Sequence, residues 1–155
     1  MIIDERMAAF INSFDKGNTV FLDELEKYAR ETDVPIIRKQ MQGLLKFLLA
    51  FLKPASILEV GTAIGFSAIL MSEYGPKDCR ITTIEKYEKR IPLARENFKK
   101  AGMEDRITLL EGDATDILKE LKEPYDMIFM DAAKGQYIHF MPDILRLLKP
   151  GGLLI

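Results

Sequence analysis

Apolar positions along this chain change their spacing once, near residue 55, and the change separates two kinds of structure. Before that point they recur every three or four residues. Met7, Phe10, Ile11 and Phe14 predict a short amphipathic helix from Asp4 to about Phe14. Lys16-Gly17-Asn18 reads as a turn. Phe21, Leu22, Leu25 and Tyr28 predict a second helix that ends near Thr32. Pro35, a residue suited to a first helical turn, starts a third, which carries Ile37, Met41, Leu44, Leu45, Leu48 and Leu52 until Lys53-Pro54 closes it. Residues 1–54 thus read as a helical cap, or dimer region, of the domain that follows.

From Ser56 the pattern alternates between short apolar runs and amphipathic stretches. Strands are predicted at Ser56–Val60, Arg80–Ile84, Arg106–Leu110, Tyr125–Met130 and Gly152–Ile155. Helices are predicted at Gly65–Tyr74, Glu88–Ala101, Ala114–Leu121 and Tyr137–Leu148, with Gly102 stopping the second and Lys149-Pro150-Gly151-Gly152 turning sharply into the last strand. Repeated strand–helix–strand units predict an α/β fold, a doubly wound parallel sheet with helices on both faces. Right-handed crossovers then bring the carboxyl ends of all strands to one rim. The fifth strand stops soon after it starts, so the core of residues 55–155 reads as incomplete at its carboxyl end, a piece of a longer polypeptide.

Composition narrows the picture without choosing a function. With 155 residues and 48% apolar content the chain suits one domain with a real core. The net charge of −2 gives no overall basic bias toward nucleic acid. Lys86, Lys89, Arg90, Arg95, Lys99 and Lys100 form a local basic stretch, read first as a solvated helix face beside Glu88 and Glu96. No apolar run approaches bilayer-spanning length, the first residues lack the form of a signal peptide, and the single cysteine, Cys79, suits a reducing cytoplasm.

Chemistry gathers on the rim. The stretch Ile57-Leu58-Glu59-Val60-Gly61-Thr62-Ala63-Ile64-Gly65-Phe66-Ser67 reads as strand, tight turn and helix start. Each of the first four strands ends in or near an acid: Glu59, Glu85, Asp113 and Asp131. Four carboxylates on one edge repel unless a ligand or cation relieves them, which points to an adenosyl cofactor carrying positive charge. Gly61 and Gly65 allow a turn that side chains would block. Ser67 and nearby amides at a helix start suit a ligand carboxylate. Glu85, at the end of the second strand, can accept two ribose hydroxyls. Asp113 can reach an adenine amine, with Ala114 as the ring's wall. Asp131 suits a divalent cation, and Lys134 can orient a hydroxyl or take its proton. Plainer roles exist for each. The glycines can be turn residues, Glu85-Lys86 a surface pair, Asp113 a helix cap, Asp131 a loop cap and Lys134 a solvated lysine. His139, the only histidine, is given no role.

These residues, in this order, resemble the class I S-adenosylmethionine-dependent methyltransferases. The Ile57-to-Ser67 stretch together with Asp131-Ala132-Ala133-Lys134-Gly135-Gln136-Tyr137 is similar to the metal-dependent O-methyltransferases, the family of the catechol and caffeoyl-CoA enzymes. Among bacterial members the likeness extends to the tRNA 5-hydroxyuridine methyltransferases. The resemblance implies a Rossmann-like methyltransferase fold with extra N-terminal helices, and a homodimer. It implies that Ile37 contributes from the helix before the core, and that Glu59, Gly61, Thr62, Gly65 and Ser67 surround the methionine moiety. Glu85 would hold the ribose and Asp113-Ala114 the adenine. Asp131 would border the cofactor, act in catalysis and bind a magnesium-like ion, with Lys134 by the reacting hydroxyl. Two further metal ligands, an Asp-Asn pair, would follow the strand that begins at Gly152. The implied reaction is O-methylation, first of the tRNA wobble 5-hydroxyuridine, with a small catechol-like or acyl-CoA acceptor as the alternative. A nicotinamide-dependent oxidoreductase is the competing enzyme reading, but Gly61-Thr62-Ala63-Ile64-Gly65 lacks the spacing that cradles a pyrophosphate. A non-catalytic RNA-binding module is the other, supported only by the basic stretch.

Overall fold

The computed structural model describes residues 4–14 and 16–155. Helices α1 (Glu5–Asn12), α2 (Val20–Glu31) and α3 (Lys39–Leu52) precede an alternating series. That series is β1 (Ser56–Val60), α4 (Phe66–Tyr74), β2 (Arg80–Glu85), α5 (Ile91–Lys100), β3 (Ile107–Glu111), α6 (Ala114–Glu120), β4 (Tyr125–Met130), α7 (Tyr137–Leu147) and β5 (Leu148–Leu154). The strands form one sheet in the order β3-β2-β1-β4-β5, and every pairing is parallel. The α/β Rossmann-like architecture expected from the sequence is therefore the one observed. The order reverses between β1 and β4, where a parallel sheet opens a crevice beyond its carboxyl ends.

Alternation along the strands assigns the two faces. Ile57, Ile81, Ile107, Met127 and Phe129 join one buried cluster with α2, α3, α4 and α5. Leu58, Val60, Ile84, Ile128 and Met130 join a second cluster with α6 and α7. Seven consecutive residues of α4, Phe66 to Ser72, are buried. A helix apolar all round needs cover on its outer side as well. Leu22 and Leu25 of α2 and Leu45 and Leu49 of α3 supply it. The N-terminal helices thereby fix the helix that opens at the rim.

Several element boundaries differ from the sequence reading. Helix α3 starts at Lys39, not Pro35. Asp33, with φ 52°, and the Val34 N–H bond to the Ala29 carbonyl (2.9 Å) close α2 in a Schellman turn, and residues 34–38 then run extended. Helix α5 starts at Ile91 rather than Glu88, because residues 87–90 form a separate turn and Pro92 sets the first helical turn. Strands β2 and β3 each run one residue further than predicted, to Glu85 and Glu111. Strand β5 starts at Leu148, not Gly152. Leu148 pairs with Tyr125 and Leu153 with Met127, so the Lys149–Gly152 turn is a bulge inside the strand.

At the amino edge of the sheet Asp126 joins three strands. Its Oδ2 accepts from the Ala55 and Ser56 N–H groups at 2.9 Å, and its Oδ1 accepts from Lys149 Nζ at 2.7 Å. Burial would raise its pKa, but Lys149 and the Ser56 and Ala55 donors outweigh burial and hold the group below its ordinary 3.8. A lowered native pKa contributes stability above the unfolded value and loses it as pH falls. We predict that Asp126→Ala costs about 1–3 kcal/mol in urea unfolding at neutral pH, with the gap closing below about pH 4. A gap constant over that range contradicts the assignment.

Candidate functional site

The loops after β1, β2, β3 and β4 enclose a cavity of about 1090 Å³. Its walls include Gly61, Thr62, Ala63 and Ser67 from the first loop, Glu85, Lys86, Tyr87 and Arg90 from the second, Gly112, Asp113 and Ala114 from the third, and Asp131, Ala132 and Ala133 from the fourth. Pro35, Ile36, Ile37 and Arg38 close it from the N-terminal side. Ile37 thus contributes from the extended segment before α3, not from a helix as expected.

Backbone geometry makes the β1 loop. Gly61 has φ 93°, and a Cβ there would stand 2.8 Å from the Asp131 carbonyl oxygen. Only a glycine lets the β1 and β4 loops approach this closely. Gly65, with φ 90°, does different work. A Cβ there would meet the Phe98 ring at 2.6 Å, so Gly65 lets α5 pack against the start of α4. Asn97 Nδ2 donates to the Ile64 carbonyl at 2.8 Å and fixes the same loop. The β4 loop is tied back by Tyr137, whose hydroxyl donates to the Met130 carbonyl at 2.8 Å.

The four acids do not occupy equivalent places. The first strand runs Ser56–Val60 as expected, but Glu59, placed on the rim with the other acids by the sequence reading, lies inside it, on the same side as Ile57 and so on the α4 face of the sheet. It is fully buried, level with Thr83 across the β1–β2 register, and accepts from the Ser67 and Thr83 hydroxyls. Glu59 therefore lies directly behind Ser67, one layer below the cavity wall. Burial pushes its pKa from 4.5 up to about 7, against the pull of the Ser67 and Thr83 hydroxyls and with a further push from Asp131. Thr62, 2% exposed, also turns its hydroxyl toward the Glu59 carboxyl and pulls its pKa down.

The other three acids do line the cavity. Glu85 is 8% exposed; its Oε2 accepts from the Ala63 N–H at 2.7 Å and its Oε1 from the Tyr87 N–H at 2.8 Å. It links the β1 and β2 loops and is not a surface pair with Lys86. Asp113 caps α6 through the Thr115 N–H at 2.8 Å and pairs with Lys86 Nζ at 3.2 Å. Those partners hold its carboxyl below the usual carboxylate range, the Thr115 amide most of all. Asp131 opens the β4 loop on the exposed side, its N–H bonded to the Val60 carbonyl at 3.1 Å. Its charge, after burial, helps raise the Tyr137 phenol. Lys134 begins a single 3-10 turn, Lys134–Gln136, and its side chain lies outside the described residues. His139 is exposed on α7, and Cys79 is a buried thiol whose pKa burial pushes up to about 11.

Lys86, Tyr87 and Arg90 also line the cavity and were not singled out as site residues from the sequence. Their signal was position alone, just past the second strand. The arrangement fits a nucleoside with a charged tail. The carboxylate at Glu85 faces the cavity between two loops, and Thr62 and Ser67 line it from the β1 loop. A divalent cation at Asp131 would need oxygen ligands from further residues. No three His, Cys, Asp or Glu side chains gather as a metal site among the described residues, and Asp131 alone does not satisfy an octahedral ion.

Comparison with known proteins agrees with this geometry. The family model described as O-methyltransferase matches residues 12–155. The chain is 40% identical over 119 residues to a catechol O-methyltransferase of Niastella koreensis, covering 74% of this chain and 54% of that protein. It is 33% identical over 115 residues to a caffeoyl-CoA O-methyltransferase of Populus kitakamiensis, covering 71% of this chain and 49% of that protein. The chain thus spans about half the length of the curated relatives it matches. Among solved structures, a SAH-bound methyltransferase of Podospora anserina superposes with TM-score 0.89 at 32% identity, covering 97% of this chain and 67% of that one. A Bacillus cereus O-methyltransferase in complex with SAH gives TM-score 0.85 at 26% identity, covering 96% and 70%.

Proposed function

We propose, for a chain that belongs to the O-methyltransferase family, that the rim cavity binds S-adenosylmethionine and that its methyl group passes to an oxygen nucleophile. The observation that carries this reading is the convergence of the Gly61–Ser67 loop, Glu85, Asp113-Ala114 and Asp131 on one cavity at the sheet's reversal point. Glu85 accepts the two ribose hydroxyls. Asp113 and Ala114 border the adenine. Thr62, Ser67 and the loop amides hold the methionine end, with the Glu59 carboxylate behind them.

The sulfonium supplies an activated methyl group. The S–CH₃ bond breaks as the O–CH₃ bond forms, the neutral thioether S-adenosylhomocysteine is the leaving group, and the hydroxyl proton passes to the Asp131 carboxylate and on to solvent. The protein's share is alignment and proton handling. Asp131, at the exposed end of β4, accepts a hydrogen bond from the acceptor hydroxyl and favours its deprotonation. We assign Lys134, three residues on, to steering the same proton.

The acceptor best supported is a small hydroxylated compound of catechol or acyl-CoA type, because the named relatives carry those substrates in their names. The tRNA wobble hydroxyl has less behind it. Three of the six basic side chains in the α5 region are ion-paired, Lys86 to Asp113, Arg95 to Glu111 and Lys100 to Glu96, which weakens a phosphate-binding face. The exposed phenylalanines Phe10, Phe14, Phe47 and Phe51 support pairing of two copies. Among the described residues no helix is long and apolar enough to cross a membrane, and the buried free thiol of Cys79 favours a reducing, cytoplasmic setting.

The test is methyl transfer from labelled S-adenosylmethionine to catechol, to caffeoyl-CoA and to bulk tRNA in parallel. Label is expected in a small hydroxylated acceptor. Label in tRNA alone overturns the acceptor assignment, and tight binding of NAD in place of S-adenosylmethionine overturns the donor.

A further inference from the structure

The wall formed by residues 33–38 is held by a buried polar clamp beneath it. Gln42, on the first turn of α3, is 1% exposed, and all its hydrogen bonds go inward. Its Nε2 donates to the Ile37 carbonyl at 3.0 Å and to Glu26 Oε2 at 3.5 Å, while its Oε1 accepts from Asn18 Nδ2 at 2.8 Å. Glu26, 6% exposed on α2, is in turn neutralised by Lys39 Nζ at 2.9 Å and by Arg30. The far end of the wall is pinned separately by the Val34 N–H bond to the Ala29 carbonyl.

Residues 34–38 belong to no helix or strand. An extended segment with so few bonds of its own is ordinarily among the first parts of a protein to open. Yet Pro35, Ile36, Ile37 and Arg38 all line the cavity, and the Ile37 side chain is 7% exposed. Val34, Ile36 and Ile37 pack against the core on one side, and among the described residues the Gln42 amide on the Ile37 carbonyl is the buried side-chain hydrogen bond that fixes the backbone of this stretch. A glutamine spans that gap because it donates and accepts at once, joining α2, the loop before it and the wall. An apolar residue of the same size would leave the Ile37 carbonyl, Asn18 and Glu26 each short of a partner.

We propose that Gln42 is a positioning residue that preforms the N-terminal wall of the cofactor cavity, so that ligand meets a built surface and need not order one. The inference rests on the methyltransferase reading for its ligand, but not for its structural content. Gln42 touches no ligand. It acts through Ile37 and its neighbours.

The experiment compares the intact protein with Gln42→Leu and with Leu49→Ala. The latter empties a fully buried position on the same helix, away from the wall. Hydrogen exchange in the unliganded proteins is read for the peptide covering 33–38, and affinity for S-adenosylhomocysteine is measured by calorimetry. Gln42→Leu is expected to speed exchange in that peptide about tenfold and to weaken the ligand about tenfold, because ordering the wall then draws on binding energy. Leu49→Ala is expected to lower the melting temperature without either effect. Wall exchange in Gln42→Leu that matches Leu49→Ala overturns the proposal. If the unaltered protein binds no S-adenosylhomocysteine, the methyltransferase reading fails, and the exchange comparison still decides the clamp.

Discussion

Glu59→Gln is expected to make the free protein more stable at high pH and a poorer binder of S-adenosylmethionine. The carboxyl is fully buried, and burial raises its pKa to about 7 from an ordinary 4.5. Between those values the native state keeps a proton that the unfolded chain releases, so stability falls as pH rises, and above about 7 the whole penalty is present. The shift corresponds to roughly 3 kcal/mol. A neutral amide carries no such penalty. Urea unfolding should show the two proteins alike near about pH 4, diverging upward, with the variant ahead by about 2–3 kcal/mol near pH 8. The same change removes the negative charge behind Ser67 that a cationic donor draws on, so affinity should drop by about tenfold or more. A residue costly to the resting fold and useful to the bound one is the usual sign of a functional group. A variant less stable at every pH would show that Glu59 serves only to bond Ser67 and Thr83.

The second large effect falls on Glu85. Its oxygens already bond the Ala63 and Tyr87 amides, which aims the carboxylate and leaves lone pairs for the cavity. Two hydrogen bonds from ribose hydroxyls to a charged acceptor are together worth about a hundredfold in affinity. Glu85→Ala should therefore weaken S-adenosylmethionine by about that factor, and Glu85→Gln by less, since it keeps an acceptor for one hydroxyl. Unchanged affinity in Glu85→Ala would place the ribose elsewhere. Equal losses for adenosine and S-adenosylmethionine would agree with a ribose contact.

Much of this was legible in the residues themselves. The short apolar runs Ser56–Val60 and Tyr125–Met130 give the strands, and their near-continuous apolar character fits burial on both faces. The strand–helix repeat gives parallel pairing, and parallel pairing brings Glu85, Asp113 and Asp131 to one rim. The depth of Glu59 was not legible, because the Ser67 and Thr83 hydroxyls that let a carboxylate be buried there come from α4 and the neighbouring strand. Pro35 misled for a related reason. A proline suits a first helical turn, but here the Schellman turn at Asp33 and the bond from Gln42 to Ile37 keep the chain extended for four more residues. The work of the two glycines is tertiary. Gly61 faces the Asp131 carbonyl and Gly65 the Phe98 ring, partners that lie 70 and 33 positions along the chain and that no local pattern names. Gln42 and Asn18 look like ordinary polar positions until α2 and α3 are brought together.

One rim cavity is expected to hold the methyl donor, from Glu85 at the ribose to Ser67 and Glu59 at the amino-acid end. A crystal structure of the protein with S-adenosylhomocysteine tests it directly. Ribose hydroxyls are expected within hydrogen-bonding distance of Glu85, adenine against Ala114, and the amino-acid end beside Ser67. Ligand density outside that cavity, or inside it with Glu85 turned away from the sugar, would contradict it.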